Sequence, residues 1–101
     1  MEQQQWMSLL GLANRARKVI SGEELVIKEV RSGRAKLVIL SADASLNTGK
    51  KIQDKCSYYK VPVRFAATRA QLGHAIGKEA RVAVAVTEEG FARKLASLLD
   101  E

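Results

Sequence analysis

Several residue types that support catalysis or cross-linking are scarce in this chain. Its 101 residues include one cysteine, one histidine and one proline. A single cysteine, Cys56, excludes an internal disulfide bond, and with His74 as the sole imidazole the sequence lacks the ligand set of a zinc site. We therefore expect no structural or catalytic metal and no cofactor.

Sequence motifs for nucleotide chemistry or nucleophilic catalysis are also missing. A phosphate-binding loop needs a glycine-rich pattern after a strand, and only the Thr-Gly-Lys-Lys segment at 48–51 resembles a fragment of one. Neither Cys56 nor His74 has an evident catalytic partner. The sequence therefore favours a protein with no catalytic residues and no small-molecule substrate. A small enzyme, or the accessory domain of one, is therefore the least favoured interpretation.

Long apolar runs are absent as well. No segment approaches the roughly 20 apolar residues that a membrane helix needs. The first five residues lack the basic start and apolar stretch of a secretion signal. We expect a cytoplasmic protein that does not enter a membrane.

The residues that are present indicate one folded domain over 1–101. Hydrophobic residues make up 47% of the chain, which is enough for a real core, and 28% of the residues are charged. The net charge is +6, and such a field attracts polyanions. Residues 1–36 carry seven Lys/Arg against four acids and residues 37–69 six against two, whereas residues 70–101 carry four against five. The basic surface therefore belongs to the first two thirds of the chain.

Hydrophobic periodicity predicts alternating helices and strands along the whole chain. We predict helices over 3–16, 22–32, 47–59, 68–76 and 87–99, and strands over 18–21, 36–40, 61–65 and 82–86. The expected caps are Asn47 or Thr48 for the third helix, Thr68 for the fourth and Thr87 for the last, with Gly33 ending the second. The fold class is α/β, a sandwich around about four strands, largely parallel in its core.

A few side chains allow two interpretations. Trp6 is expected to anchor the first helix in the core, although an exposed indole could stack on a base. The same choice applies to Tyr58 and Tyr59, with core packing favoured for at least one of them. Cys56 is expected to be a small core residue and His74 a surface or packing residue.

Seven cations fall within one short stretch around the second helix: Arg15, Arg17, Lys18, Lys28, Arg31, Arg34 and Lys36. They could form an ordinary solvated face in which Glu24 and Lys28 make a surface pair. The position of Gly22 favours RNA binding instead, because a glycine at a helix start lets a phosphate backbone approach free N–H groups. Leu25 is predicted to lie opposite the apolar stripe and to be exposed, which suggests an interface.

Several segments together resemble a known family. They are the Ser-Gly-Glu-Glu-Leu-Val-Ile-Lys run at 21–28, Gly33, and the segments 36–44, 61–63 and 72–77. In order and spacing they are similar to the kink-turn-binding ribosomal proteins, which include archaeal L7Ae and eukaryotic L30e. The segment 10–18 resembles the bacterial, ribosome-associated branch of that family. The resemblance covers nearly the whole chain.

The resemblance implies a three-layer α/β/α sandwich, L30e-like, that places the start of its second helix in the widened major groove of an RNA kink-turn. Gly22 would approach the RNA backbone, and Lys28 would contact guanine edges. Two features depart from the family. Glu24 and Leu25 stand where the family has Asn and Glu, and the loop at 77–81, apolar in the family, is charged here. Lys78 and Arg81 would therefore serve phosphates.

The first hypothesis is therefore a non-catalytic protein that binds structured RNA, such as a kink-turn or ribosomal RNA, and associates with the ribosome. The second is an adaptor in the translation or transcription machinery that presents Leu25 and the basic helix to an acidic protein. The candidate RNA-binding residues are Arg17, Lys18, Gly22, Glu23, Glu24, Leu25, Lys28, Arg31, Arg34, Lys36, Lys78 and Arg81.

Overall fold

A computed structural model of the chain describes residues 2–66 and 68–100. Within these residues five helices alternate with four short strands. The elements are α1 (Glu2–Arg15), β1 (Val19–Ser21), α2 (Glu23–Arg31), β2 (Leu37–Ser41), α3 (Leu46–Tyr59), β3 (Val63–Ala66), α4 (Arg69–Ala75), β4 (Ala83–Val86) and α5 (Glu89–Leu99). All nine elements were predicted from the sequence, with bounds that differ by a few residues. None of the described helices is long and apolar enough to cross a membrane.

The four strands form one mixed sheet in the order β1-β4-β2-β3. β4 pairs antiparallel with both β1 and β2, and only β2 and β3 are parallel. The prediction of a largely parallel core was therefore wrong for two of three strand pairs. The reason lies in the connection through α4. β3 ends beside Ser41 and the chain returns to the same place, where Ser41 N donates to Val82 O at 2.8 Å, so β4 starts at that end and runs the opposite way.

Helices cover both faces of the sheet and give the predicted α/β/α sandwich. Alternate residues of a strand point to opposite faces. Accordingly, Val38 and Leu40 pack under α2 and α3, whereas Leu37 and Ile39 pack under α1, α4 and α5. The helix residues of the first core are Val26, Ile27, Val30, Ile52 and Cys56, and those of the second are Trp6, Leu10, Leu72, Ile76, Ala92 and Leu95.

Two of the predicted helix caps were wrong. The N-cap of α3 is Ser45, whose hydroxyl accepts a hydrogen bond from Thr48 N at 3.2 Å, so the helix begins before Asn47. The N-cap of α5 is Glu88, which accepts from Phe91 N at 2.7 Å. Thr87 instead donates from Oγ1 to a backbone carbonyl of the turn before β1. The hydrogen bond from Phe91 N is the main reason that the pKa of the Glu88 carboxyl is lowered.

Two other helix ends agree with the sequence. Thr68 caps α4 by accepting from Gln71 N at 3.0 Å. Gly33 follows α2 with φ +83°, the left-handed conformation that glycine adopts without strain. The end of α2 and the start of α4 were therefore predicted correctly.

Most of the individual burial predictions are confirmed. Trp6 is 3% exposed and Cys56 1% exposed, so both are core residues, while His74 lies on the surface. The expectation that Tyr58 or Tyr59 packs in the core was wrong, because they are 78% and 39% exposed. α3 buries Gly49, Ile52 and Cys56, and its last residue, Tyr59, lies where the chain turns away.

Candidate nucleic-acid interface

The start of α2 is open to solvent and lacks a side-chain cap. Gly22 is the N-cap residue, with φ 102° and ψ 142°, and no side chain in the described part of the chain accepts from the N–H groups of the first turn. Apart from the residues bonded to Gly22, no heavy atom of the described residues lies within 4 Å of the position that a Cβ at Gly22 would occupy. Gly22 N donates to Ala83 O at 3.1 Å, which fixes the helix start to β4. The free N–H groups and the helix dipole make this position favourable for an anion.

The outward face of α2 carries Glu24, Leu25 and Lys28, all exposed, with Leu25 55% exposed as predicted. Lys28 lies about 9 Å along the helix from Gly22, and helical Cα–Cβ bonds tilt toward the N-terminus, so its ammonium group can extend toward the helix start. No ion pair joins Glu24 to Lys28 in the described residues. The Lys28 charge is therefore available to a ligand.

Glu23 is engaged within the protein. Its carboxylate lies 3.1 Å from Lys51 Nζ and accepts a hydrogen bond from Thr48 Oγ1 at 3.4 Å. Both partners belong to the first turns of α3. The structure thus places Glu23 between the starts of α2 and α3, where it holds the two helices together.

The loop at 77–81 lies beside Gly22, at the end of the sheet where β1 ends and β4 begins. We call this the Gly22 end. Arg81 donates from Nε to Ser21 Oγ at 3.3 Å and from its backbone N to Arg69 O at 3.0 Å. These bonds hold the Arg81 guanidinium next to the start of α2. Lys78 is exposed on the same loop. The fold therefore brings together two segments that are almost 60 residues apart in sequence.

Arg69 and Asp43 fix the neighbouring loops. Asp43 Oδ1 accepts from Arg69 N at 3.0 Å, and Arg69 Nη2 donates to Asp43 O at 2.7 Å. Burial raises the pKa of Asp43, but the hydrogen bonds and the Arg69 charge outweigh it, so the pKa of the carboxyl is lowered overall. The carboxylate stays ionised and keeps α4 against the loop after β2.

The remaining predicted cations lie at the opposite end of the sheet. Lys36 N donates to Val86 O at 2.7 Å, and Lys18 O accepts from Thr87 N at 2.9 Å, so both lysines flank the end of β4. Arg17 precedes Lys18, and Arg31 is the last residue of α2. The nine residues of α2 span about 13 Å, which separates these cations from Gly22.

Arg34 is occupied by an ion pair at that opposite end. Its Nε and Nη2 donate to the two carboxylate oxygens of Glu29 at 2.8 and 3.1 Å. This pairing lowers the pKa of Glu29 and raises the pKa of Arg34. Of the cations in this stretch, Lys28 lies partway along α2, about 9 Å from Gly22, whereas the cations at the far end of the helix lie about 13 Å from Gly22.

Comparison with known proteins decides the family. The model of the ribosomal protein L7Ae/L30e/S12e/Gadd45 family matches residues 4–96. The chain belongs to this family. It is 69% identical over 96 residues to the RNA-binding protein YlxQ of Bacillus subtilis, covering 95% of this chain and 96% of the relative. It is 44% identical over 97 residues to YlxQ of Enterococcus faecium, covering 96% and 93% of the two chains.

Solved structures show the L7Ae/L30e fold as well. A protein of unknown function from Bacillus halodurans superposes with a TM-score of 0.92 and 54% identity, covering 95% of this chain and 97% of that one. The Giardia lamblia 15.5kD RNA binding protein superposes with a TM-score of 0.83 and 20% identity, covering 99% of this chain and 87% of that one. At 20% identity the second comparison establishes the fold alone. The family resemblance and the fold class inferred from the sequence are both confirmed.

Sequence reasoning missed three residues that shape the Gly22 end of this L7Ae-family chain. Ser21 positions Arg81, Lys51 pairs with Glu23, and Gly73 lets the 77–81 loop pack closely on α4. The Ser-Gly pair before α2 offered a signal for Ser21. Lys51 and Gly73 act through contacts between distant segments, so no local pattern marked them.

Groups with catalytic potential are few in the described part of the chain. Burial raises the pKa of the Cys56 thiol to about 11, which disfavours the reactive thiolate. No group of three or more His, Cys, Asp or Glu side chains that could hold a metal ion occurs among the described residues. The chemistry that the Gly22 end offers is hydrogen bonding and charge.

Proposed function

We propose that this protein is a non-catalytic RNA-binding protein that recognises a kink-turn or a related bent RNA, in association with ribosomal RNA in the cytoplasm. The observation that carries the proposal is the open, uncapped start of α2 at Gly22. Lys28 lies on the outward face of this helix, and Arg81 lies beside the helix start through its hydrogen bond to Ser21. The names of the relatives support RNA as the ligand, because both YlxQ proteins are described as RNA-binding.

The start of α2 is suited to a phosphate of the bent backbone. Its free N–H groups can donate to phosphate oxygens, and Gly22 leaves the space that a side chain would fill. Lys78 and Arg81 add positive charge on the facing loop and serve neighbouring phosphates. Such contacts position the protein on the RNA without reading its sequence.

Lys28 is the residue we assign to base recognition. A lysine can donate to the O6 and N7 acceptors of guanine in a major groove. The major groove of regular A-form RNA is too deep and narrow for side chains, so this contact requires a bent, widened element. The exposure of Lys28 and the lack of an ion pair to it in the described residues fit this role.

Glu24 and Leu25 modify the selectivity of this surface. The exposed Glu24 carboxylate can accept from a guanine or cytosine amino group but repels phosphates. Leu25 offers an apolar contact where the family has a charged residue. Glu23 contributes indirectly, through its ion pair with Lys51 that fixes the start of α2. Arg17, Lys18, Arg31, Arg34 and Lys36, at the opposite end, strengthen the attraction for polyanions without reading bases.

The proposal is tested by titrating the protein against a kink-turn RNA and a matched hairpin without the tandem G·A pairs, at near-physiological salt. We expect tighter binding to the kink-turn, because only that RNA presents guanine edges in a widened groove. Equal, weak and salt-sensitive binding to both RNAs would contradict kink-turn recognition. It would leave only the general attraction between a +6 protein and a polyanion.

A second candidate function rests on the exposure of Leu25. At 55% exposed on a basic helix, this leucine could contact an acidic protein of the translation or transcription machinery. Salt distinguishes the two functions. Binding that neutralises several phosphates weakens steeply as salt rises, whereas an interface built around Leu25 responds less.

A further inference from the structure

The outer surface of α3 carries Lys55 and two aromatic rings that the Gly22 end does not use. Lys51, Lys55 and Tyr58 follow one another at helical spacings of four and three residues, so they share one stripe of the helix. The stripe begins beside α2, because Lys51 Nζ lies 3.1 Å from the Glu23 carboxylate. It then runs about 10 Å along α3 to Tyr58.

The end of the stripe is a pair of exposed tyrosine rings. Tyr58 is 78% exposed and Tyr59 39% exposed. Their ring centroids are 4.9 Å apart and the planes meet at 78°, an edge-to-face contact. This geometry holds the two rings against each other and leaves most of the Tyr58 ring surface open to solvent.

A hollow lies between the rings and the preceding turns of α3. Its volume is about 530 Å³, which lies within the range of about 300–1,000 Å³ that small-ligand sites have. It is lined by Lys51, Asp54, Lys55, Tyr58 and Tyr59. The one acid, Asp54, lies 3.6 Å from Lys50 Nζ, so its charge is partly offset. Lys55 forms no ion pair among the described residues.

We propose that this α3 stripe binds single-stranded RNA, with an unpaired base stacked on Tyr58 and an adjacent phosphate paired with Lys55. The proposal rests on the proposed function only in taking RNA as the ligand. Exposed aromatic rings beside cations are the combination that single-stranded nucleic acids need, because each base offers a flat face and each linkage a negative charge. A continuous duplex keeps its base faces stacked and could use only the lysines.

The position of the stripe connects it to the Gly22 end. Lys51 adjoins the start of α2, and Tyr58 lies about two helical turns further along α3. One RNA with a bent element and an unpaired strand could therefore contact both surfaces. The second contact would add affinity for such RNAs over blunt ones.

The test uses a labelled single-stranded octamer of adenosine nucleotides and the full chain. We expect fluorescence anisotropy to show binding that Tyr58→Ala weakens about 5- to 150-fold, the range of one lost base–aromatic stack. Tyr58→Phe should stay within about twofold of the parent protein because it keeps the ring. Phe65→Ala, which removes another exposed aromatic ring, is the matched control and should also change affinity little.

The position of the bound octamer on the protein is measured independently, from changes in amide chemical shifts in NMR spectra. We expect the octamer to move the resonances of residues 51–60 and to leave those of 22–28 nearly unchanged. Absence of octamer binding at low salt, equal losses for Tyr58→Ala and Phe65→Ala, or shifts confined to 22–28 would each overturn the proposal.

A blunt kink-turn RNA separates this proposal from the proposed function. Tyr58→Ala should leave binding to the blunt RNA unchanged. If the octamer binds in a Tyr58-dependent manner while kink-turn selectivity is absent, the α3 site stands and kink-turn recognition fails. If kink-turn selectivity is present and the octamer does not bind, the α3 site fails alone.

Discussion

Gly73 of α4 lies directly against Ala80 of the 77–81 loop. A Cβ at position 73 would be 2.8 Å from Ala80 Cα and 2.8 Å from Glu79 O. Both atoms belong to the backbone, so no flexible side chain can move aside. The loop that carries Lys78 and Arg81 can therefore pack on α4 only because residue 73 has no side chain.

Gly73→Ala should displace this loop. We expect the free energy of unfolding to fall by about 1–3 kcal/mol, the usual effect of overpacking, and RNA affinity to fall with it because Arg81 moves. The control is Gly49→Ala, where a Cβ would meet only Gln53 Nε2 at 3.9 Å and Leu40 Cδ2 at 4.0 Å. That substitution should stabilise α3 by up to about 1 kcal/mol. Equal results for the two variants in urea unfolding would contradict the packing described here.

Gly22→Ala should destabilise the protein although nothing obstructs the added methyl group. With φ 102° and ψ 142°, the backbone at Gly22 is in a region that other residues rarely adopt, and the strain costs about 1–3 kcal/mol. Gly33→Asn is the comparison, because asparagine tolerates the left-handed conformation at φ +83°. Urea unfolding should show the larger loss for Gly22→Ala, and a larger loss for Gly33→Asn would be inconsistent with this account.

Much of the fold could be predicted because its signals are local. The stripe of Val26, Ile27 and Val30 predicted α2, and Gly33 its end. Strand direction could not be read in the same way, because a fully buried strand shows the same apolar run whether its neighbours are parallel or antiparallel. The caps failed for a related reason. Ser45 and Thr48 can each cap a helix, and in the fold Ser45 caps α3 while the Thr48 hydroxyl donates to Glu23.

The candidate site was predictable where its parts are adjacent in sequence. Gly22 and Lys28 belong to one helix, so their relation follows from helix geometry. Arg81 reaches Ser21 only through the fold of the sheet, and the family resemblance, not a local pattern, pointed to its loop. The cluster of cations in the sequence gave a misleading impression of their distances from Gly22. The length of α2 places the cations at its far end about 13 Å from Gly22, although they are close to it in the sequence.

The Cys56 thiol should be unreactive in the native protein. Burial raises its pKa to about 11, so at pH 8 only about one thiol in a thousand would be ionised. We expect a thiol-specific disulfide reagent to label Cys56 slowly at pH 8 and rapidly after addition of denaturant. Complete labelling of the folded protein within minutes would mean that the residue is accessible and its pKa is not raised.

Leu25→Glu restores the residue type that the family has at this position. Leu25 is 55% exposed, so we expect little change in the free energy of unfolding. Kink-turn affinity should be retained if this face binds RNA as the family does. The measurement is a titration of Leu25→Glu and of the parent protein against the same kink-turn RNA. A complete loss of binding would show that an apolar contact at Leu25 carries the interaction.

The central claim, that the Gly22 end of α2 binds RNA, is tested most directly by comparing Lys28→Ala, Lys36→Ala and Lys94→Ala against one kink-turn RNA at a fixed salt concentration. All three remove one exposed lysine and the same charge. The account predicts that Lys28→Ala weakens binding about tenfold or more, through loss of a base contact worth roughly 1–3 kcal/mol, while the other two variants change affinity by about twofold. Equal losses for all three variants would contradict it.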